Sequence, residues 1–184
     1  MTAPAITDVA VRRLGADDVD AYRTLRQRGL AAHPEAFTSS ADEEAGMSAD
    51  ALARRLAVDP ARPHDAVFGA FDGGTLVGLC GIDVDMRVKV RHKGHVFGMY
   101  VADGHAGRGI GGALIDRVIA HARERGLRQL VLTFTGDNLA ARRVYERAGF
   151  AVCGREPQAV HVGDRYHDKL FMILFLSSAR APRA

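Results

Sequence analysis

The residues best suited to chemistry lie between Val101 and Gly112, where the chain reads Val-Ala-Asp-Gly-His-Ala-Gly-Arg-Gly-Ile-Gly-Gly. A β-prone run ends there and a glycine-rich turn follows. Ile110, Leu114, Val118 and Ala122 then recur every fourth residue, with Ile115 and Ile119 widening the stripe. This is the pattern of a strand, a tight turn and an amphipathic helix in immediate succession. Such a turn aims several free backbone N–H groups and the positive end of a helix dipole at one point. Glycine removes the Cβ that would keep a bulky anion away from those amides. Each charge-assisted N–H···O bond is worth about 1.5–3 kcal/mol, so four of them suffice to anchor a diphosphate.

Taken alone, the loop is ambiguous. Gly107, Gly109 and Gly112 also satisfy the dinucleotide pattern G-x-G-x-x-G, and Asp137 falls near the place of a ribose-binding acid. A plain strand-to-helix turn with no ligand is a third reading. A hairpin precedes the loop and only about seventy residues follow it, which argues against a doubly wound dinucleotide fold. A Walker loop is excluded because no Lys-Ser/Thr follows the last glycine.

A second motif lies downstream: Asn138, Ala141, Tyr145, Gly149 and Phe150, spaced N-x-x-A-x-x-x-Y-x-x-x-G-F. Asn138 and Tyr145 are two helical turns apart and share a side. Each also has a bland reading, Asn138 as a helix N-cap and Tyr145 as core packing. Together, the glycine loop and this motif resemble the GNAT superfamily of N-acetyltransferases, whose pyrophosphate loop reads Q/R-x-x-G-x-G/A. The specific motifs cover Val96 to Phe150, and the order of elements agrees over nearly the whole chain.

The resemblance implies a single α/β domain with a twisted mixed, mostly antiparallel sheet flanked by helices, and acetyl-CoA as cosubstrate without a metal. It places the cofactor on Met99, Tyr100 and Val101 of the strand and on Ala106, Gly107, Arg108, Gly109, Ile110, Gly111 and Gly112 of the loop. The amides of Arg108 to Gly111 would hold the pyrophosphate. Asn138 would bond the pantetheine arm, and Tyr145 would sit beside the sulfur as the catalytic residue. The implied reaction is acetyl transfer to a primary amine of a small molecule, peptide or protein, by direct attack in a ternary complex. A non-catalytic acyl-CoA-binding module is the alternative, and a nucleotide-binding oxidoreductase the third reading.

Two positions depart from the family pattern. Ala106 stands where the family usually has Arg or Gln, with His105 or Arg108 as substitutes. Phe97 stands where several members carry a Glu base, which leaves His95, Asp103 and His105 as nearby candidates. A base matters because neutralising an alkyl amine of pKa about 10.4 at pH 7 costs about 4.6 kcal/mol, against about 1.4 for an α-amine near 8. A phenol near pKa 10 cannot fully protonate a thiolate near 8.5 without an uphill step of about 2 kcal/mol. Tyr145 is therefore expected to assist sulfur departure by donating a hydrogen bond. Nothing cationic flanks Cys80, so a cysteine acyl-enzyme is not expected.

The elements that position these residues read as follows. Val9–Arg13 alternates like a strand, and Ala16–Arg28 reads as a helix with acids in its first turn. The stretch 29–47 has loop character; within it His33–Phe37 and the acids Asp42–Glu44 are candidates for the acceptor site, the acids suiting a cationic amine. Ser48 caps a short helix through Ala57. Two β-prone runs around Asp72-Gly73-Gly74 form a hairpin. A strand over 88–101 precedes the loop, and Gly126 ends the helix after it. RQLVLTFT is a buried strand, Leu139–Ala148 a helix stopped by Gly149. A last pair of strands, 150–154 and 166–176, flanks Gly163-Asp164.

At 184 residues one domain is expected over 1–176, with 177–184 as a short tail. The longest apolar run, Leu170 to Leu176, is far short of a membrane span. No leader pattern opens the chain, so a cytoplasmic location is expected. A net charge of +3 is spread among interleaved Arg and acids with few aromatics, unlike a nucleic-acid stripe. The eight His show no ligand spacing, so no metal is expected. A homodimer is one arrangement this reading allows.

Overall fold

In the computed structural model, residues 9–176 are described; the tail 177–184 lies outside them. Seven strands form one sheet in the order β1-β2-β3-β4-β5-β7-β6. These are β1 (Val9–Arg13), β2 (Ala66–Asp72), β3 (Thr75–Asp83), β4 (Lys93–Val101), β5 (Gln129–Thr135), β6 (Ala151–Val162) and β7 (Arg165–Phe175). Every neighbouring pair is antiparallel except β4 and β5, which run parallel. Among the described residues five helices flank it: α1 (Val19–Ala32), α2 (Ala41–Ala45), α3 (Ala49–Leu56), α4 (Ile110–Glu124) and α5 (Leu139–Arg147).

Each face of the sheet has its own core. Ile110, Leu114, Ile115, Val118 and Ala122 of α4 pack with Phe68, Cys80, Ile82, Leu130 and Leu132. Tyr22, Leu25, Leu52 and Leu56 of α1 and α3 pack with Leu14, Val67, Leu79 and Tyr100. The four-residue periodicity of α4 thus marks its buried stripe. Its end is a left-handed cap: Gly126 has φ +71°, and Leu127 N–H donates to the Ala122 carbonyl at 2.9 Å.

The structure corrects several boundaries. Ala16–Asp18 is a 3-10 turn, and α1 continues through Gly29 to Ala32. A Cβ at Gly29 would meet the Tyr100 ring at 2.9 Å, so this glycine serves close packing of helix on sheet rather than a turn. The stretch expected as a loop holds a 3-10 turn at Pro34–Ala36 and α2, which is closed at its start by reciprocal bonds between Ser40 and Glu43. β4 begins only at Lys93, because Val90 and Lys93 donate back to Arg87 and Val90 carbonyls as turns. The last hairpin is longer than expected from its polar composition, since β6 is an exposed edge that needs only backbone pairing to β7.

Candidate active site

The parallel pair fails part-way along. β4 and β5 are in register from Lys93↔Gln129 to Val96↔Leu132 and no further. β5 continues to Thr135 beside β7, whereas β4 turns away with β3. The divergence begins at a bulge: Leu79 faces Tyr100 but Gly81 faces Phe97, so one residue of β3 opposes two of β4. Gly98, with φ +65°, supplies the left-handed step that most other residues would resist. The bulge reverses the alternation of side chains, which puts Met99 and Val101 against the α4 core and Tyr100 in the opposite one.

A wedge-shaped cleft opens between the strands. Val96, Gly98 and Met99 line one wall, Phe134, Asn138 and Tyr145 the other. Ala102 N–H donates to the Val77 carbonyl at 2.8 Å, so the backbone groups of Val101 point to the opposite side, away from β3. The cleft therefore has an unpaired strand edge, as an extended amide-bearing ligand requires.

The strand leads into the glycine loop. Asp103–His105 forms a 3-10 turn, Gly107 and Gly109 take φ +77° and +81°, and Gly109 is the N-cap of α4. The first amide satisfied by the helix is that of Ala113, which donates to the Gly109 carbonyl at 3.1 Å. The amides of Ile110, Gly111 and Gly112 precede it and have no carbonyl one turn back. A Cβ at Gly104, Gly107 or Gly112 would meet nothing within 4 Å. The loop is an open cradle of donors at a helix N-terminus, suited to a diphosphate.

Neither proposed substitute for the missing side chain at Ala106 points into the cradle. Arg108 Nη1 donates to Asp72 Oδ2 at 2.7 Å, and His105 Nε2 lies 3.2 Å from the same oxygen. The Arg108 bond holds the Asp72 carboxyl below its usual range. Both side chains are thus engaged by the turn of the β2–β3 hairpin, and the cradle is backbone alone. Tyr100 contributes its backbone to the strand, while its ring is buried against α1.

The second motif has a structural layer that its spacing conceals. Asn138 caps α5, its Oδ1 accepting from Ala141 N–H at 2.9 Å. At the other end Gly149 has φ +94°; its N–H donates to Glu146 O and Phe150 N–H to Tyr145 O, both at 3.0 Å. The Tyr145 and Phe150 rings, 6.0 Å apart, complete the cap with an apolar contact. Asn138, Gly149 and Phe150 together delimit α5 and so fix Tyr145 at the cleft wall. Burial pushes the Tyr145 phenol above its ordinary value, with a smaller contribution from Cys80.

The candidate bases are dispersed. His95 Nδ1 lies 3.3 Å from Asp83, Asp103 is 3.0 Å from His33 Nε2, and His105 is held by Asp72. None of the three lines the cleft. Phe97 does; its ring covers Gly81, where a Cβ would meet Phe97 Cζ at 2.3 Å. Two of the three acids proposed for a cationic acceptor are spent within the protein. Glu43 closes the start of α2, and Glu44 accepts from Arg26 at 3.1 Å and lies 3.7 Å from Arg55. Asp137, the candidate ribose ligand, is exposed and lies 3.3 Å from His167.

The sequence profile described as Acetyltransferase (GNAT) family matches residues 24–150. The chain belongs to the GNAT acetyltransferase family. It is 36% identical over 141 residues to the streptothricin acetyltransferase of Streptomyces lavendulae, covering 64% of this chain and 72% of that one. To the mycothiol acetyltransferase of Propionibacterium freudenreichii it is 32% identical over 136 residues, covering 74% of this chain but 41% of the relative. The chain thus spans less than half the length of that relative. A GNAT acetyltransferase structure from Streptococcus pneumoniae superposes with a TM-score of 0.80 at 21% identity, over 92% of this chain and all of that one. A GNAT phosphinothricin acetyltransferase from Sinorhizobium meliloti, solved with acetyl-CoA, superposes at 0.80 and 18% identity, over 96% and 94%. These likenesses establish the GNAT fold: one parallel strand pair in an otherwise antiparallel sheet, not a doubly wound dinucleotide fold.

Proposed function

We propose that this protein transfers the acetyl group of acetyl-CoA to a primary amine, by direct attack within a ternary complex. The observation that carries this reading is the split of β4 from β5 after Val96, which opens a cleft between Tyr145 and an unpaired strand edge, on the strand that runs on into the donor cradle of α4. The cradle at Arg108–Gly112 suits the diphosphate, and the Val101 edge suits the two amides of a pantetheine arm. Asn138, whose Oδ1 is used by the cap, has its amide group for that arm. When bound, acetyl-CoA supplies the activated acyl group as a thioester.

The protein's own contribution is positional and electrostatic. Val101 orients the arm by strand-like pairing, and the α4 amides offset the diphosphate charge. Tyr145, with its phenol raised above the ordinary value, keeps its proton and donates a hydrogen bond toward the departing sulfur. A covalent cysteine route is disfavoured: Cys80 is fully buried and its thiol is pushed up to about 12 by desolvation.

The test is release of free thiol from acetyl-CoA over a panel of amines, with the acetylated product identified by mass. Binding of acetyl-CoA without turnover of any amine would instead favour a non-catalytic acyl-CoA-binding module. Among the described residues no helix is long and apolar enough to cross a membrane. Two free cysteines, Cys80 and Cys153, accord with the cytoplasmic location proposed with this activity. A homodimer would cover Phe171 and Phe175, two exposed rings on one side of β7, and sedimentation would reveal it.

A further inference from the structure

Arg26 is the one buried arginine among the described residues, 7% exposed, and it lies beside the cleft. Its Nη2 and Nε donate to Glu44 Oε1 at 3.1 and 3.3 Å. Its Nη1 is buried and has no acceptor. That nitrogen is directed at Gly98, lying 3.8 Å from where a Cβ on this glycine would stand. Phe37 covers the guanidinium at 4.6 Å from Cζ, and both Phe37 and Gly98 line the cleft.

The charges around it do not cancel. Glu44 on α2 is the single carboxylate, and it faces two guanidinium groups, Arg26 on α1 and Arg55 on α3. Tyr22, one turn before Arg26, is the other titratable group in the cluster, and burial raises its phenol. Arg55 in turn lies over the Phe97 ring at 5.2 Å, and Arg55 and Phe97 together line an adjoining cavity of about 330 Å³. A buried cation with one unused donor is a costly arrangement unless an anion completes it.

We infer that Arg26 receives a carboxylate of the acceptor, so that the acceptor is an amino acid or a compound with an acid group close to its amine. This rests on the acetyl-transfer reading. Only one carbon separates the amine of an α-amino acid from its carboxyl group. A carboxylate held at Arg26 Nη1 therefore brings the amine over Gly98, where β4 leaves β5. The side chain of the acceptor then extends along Phe97 and Arg55 into the cavity. The positive charge of Arg26 also disfavours the ammonium form of the bound amine. That replaces, by electrostatics, some of what a carboxylate base at position 97 would do.

The test compares each of the common amino acids with its amide and its decarboxylated amine as acceptors for the intact protein. Acids are expected to exceed the matched amides at least tenfold in kcat/KM, the scale of one charge-assisted hydrogen bond. In Arg26→Gln that ratio should fall toward one, and the acidic limb of the kcat/KM profile should move to higher pH. Arg26→Lys should restore part of the ratio. If amides and simple amines are acetylated as well as the acids, the inference is wrong and the transfer reading stands. A calorimetric titration of N-acetyl amino acids and their amides against the CoA-loaded protein separates the two readings. Preference for the acid without turnover keeps the carboxylate site and removes the transfer reading. Absence of both turnover and preference overturns the inference. Because the comparison of substrates uses the unaltered protein, its outcome does not depend on the variants folding.

Discussion

Arg108, inside the donor loop, is bonded at 2.7 Å to Asp72 in the turn of the β2–β3 hairpin. The only guanidinium within the loop is therefore drawn away from the cradle. The two partners are thirty-six positions apart in the chain, so the bond also pins the loop to the hairpin that neighbours β4.

The first prediction separates backbone from side chain in that loop. Arg108→Ala should alter acetyl-CoA affinity by less than about fivefold, since an exposed pair of this kind is worth roughly 0–1 kcal/mol. Gly111→Asp should abolish measurable binding. Its Cβ would sit 3.5 Å from Val144, an ordinary contact, and an acid in the first turn of α4 suits the helix dipole. The variant should thus fold as well as the parent while placing a negative charge beside the diphosphate. Calorimetry with unchanged affinity for Gly111→Asp would rule out the cradle as the diphosphate site.

Asn138 has two tasks that a pair of variants can divide. Asn138→Ala loses the cap bond to Ala141 and should cost about 1 kcal/mol of stability. Asn138→Asp keeps a cap acceptor but removes the amide donor, so stability should hold while acetyl-CoA binding weakens about five- to thirtyfold. Equal affinity in Asn138→Asp would mean that the residue is a cap and nothing more. Thermal melts and calorimetry on the same samples provide both readings.

For Tyr145 the ring and the hydroxyl can be parted. Tyr145→Phe retains the packing against Phe134 and Phe150, so the melting temperature should scarcely move. Turnover should fall about 10–100-fold, or roughly 1.4–2.7 kcal/mol, with little change in acetyl-CoA affinity. The raised phenol value means that no loss of function through Tyr145 ionisation is expected at any pH below about 10. Full turnover in this variant, measured where chemistry limits the rate, would assign the donor role to water or another group.

Stability should carry a histidine signature. Burial holds the His121 imidazole below its ordinary value, partly opposed by its 2.9 Å contact with the His64 carbonyl. The fold thus favours the neutral ring, and unfolded chains take up the proton first as pH falls through about 6.5. The stability owed to His121 is complete above that pH and is lost as the pH drops from there toward the folded-state value. Urea midpoints between about pH 7.5 and 5.5 should decline less in His121→Gln than in the parent. Parallel declines would place the acid sensitivity elsewhere.

Local sequence determined a good deal of this protein. The period of α4, the Asp72-Gly73-Gly74 hairpin, the caps at Ser48 and Asn138, and the glycine stops at 126 and 149 are all short-range matters. In each, a residue's own backbone preference or its neighbours three and four positions away decide the outcome. The loop and the N-x-x-A-x-x-x-Y-x-x-x-G-F run were legible for the same reason, and they sufficed for the family. What spacing could not show was settled by contacts between distant segments. Gly29 reads as a loop residue until the Tyr100 ring is seen to need its space, and Gly98 as an ordinary strand glycine until its bulge turns β4 from β5. Arg108 and His105 look like phosphate ligands until Asp72 claims them, and Glu44 looks like a cation site until Arg26 and Arg55 surround it. Charged side chains are long and find whichever partner the fold brings near. Their pairing is decided by tertiary distance, which residue order does not encode locally.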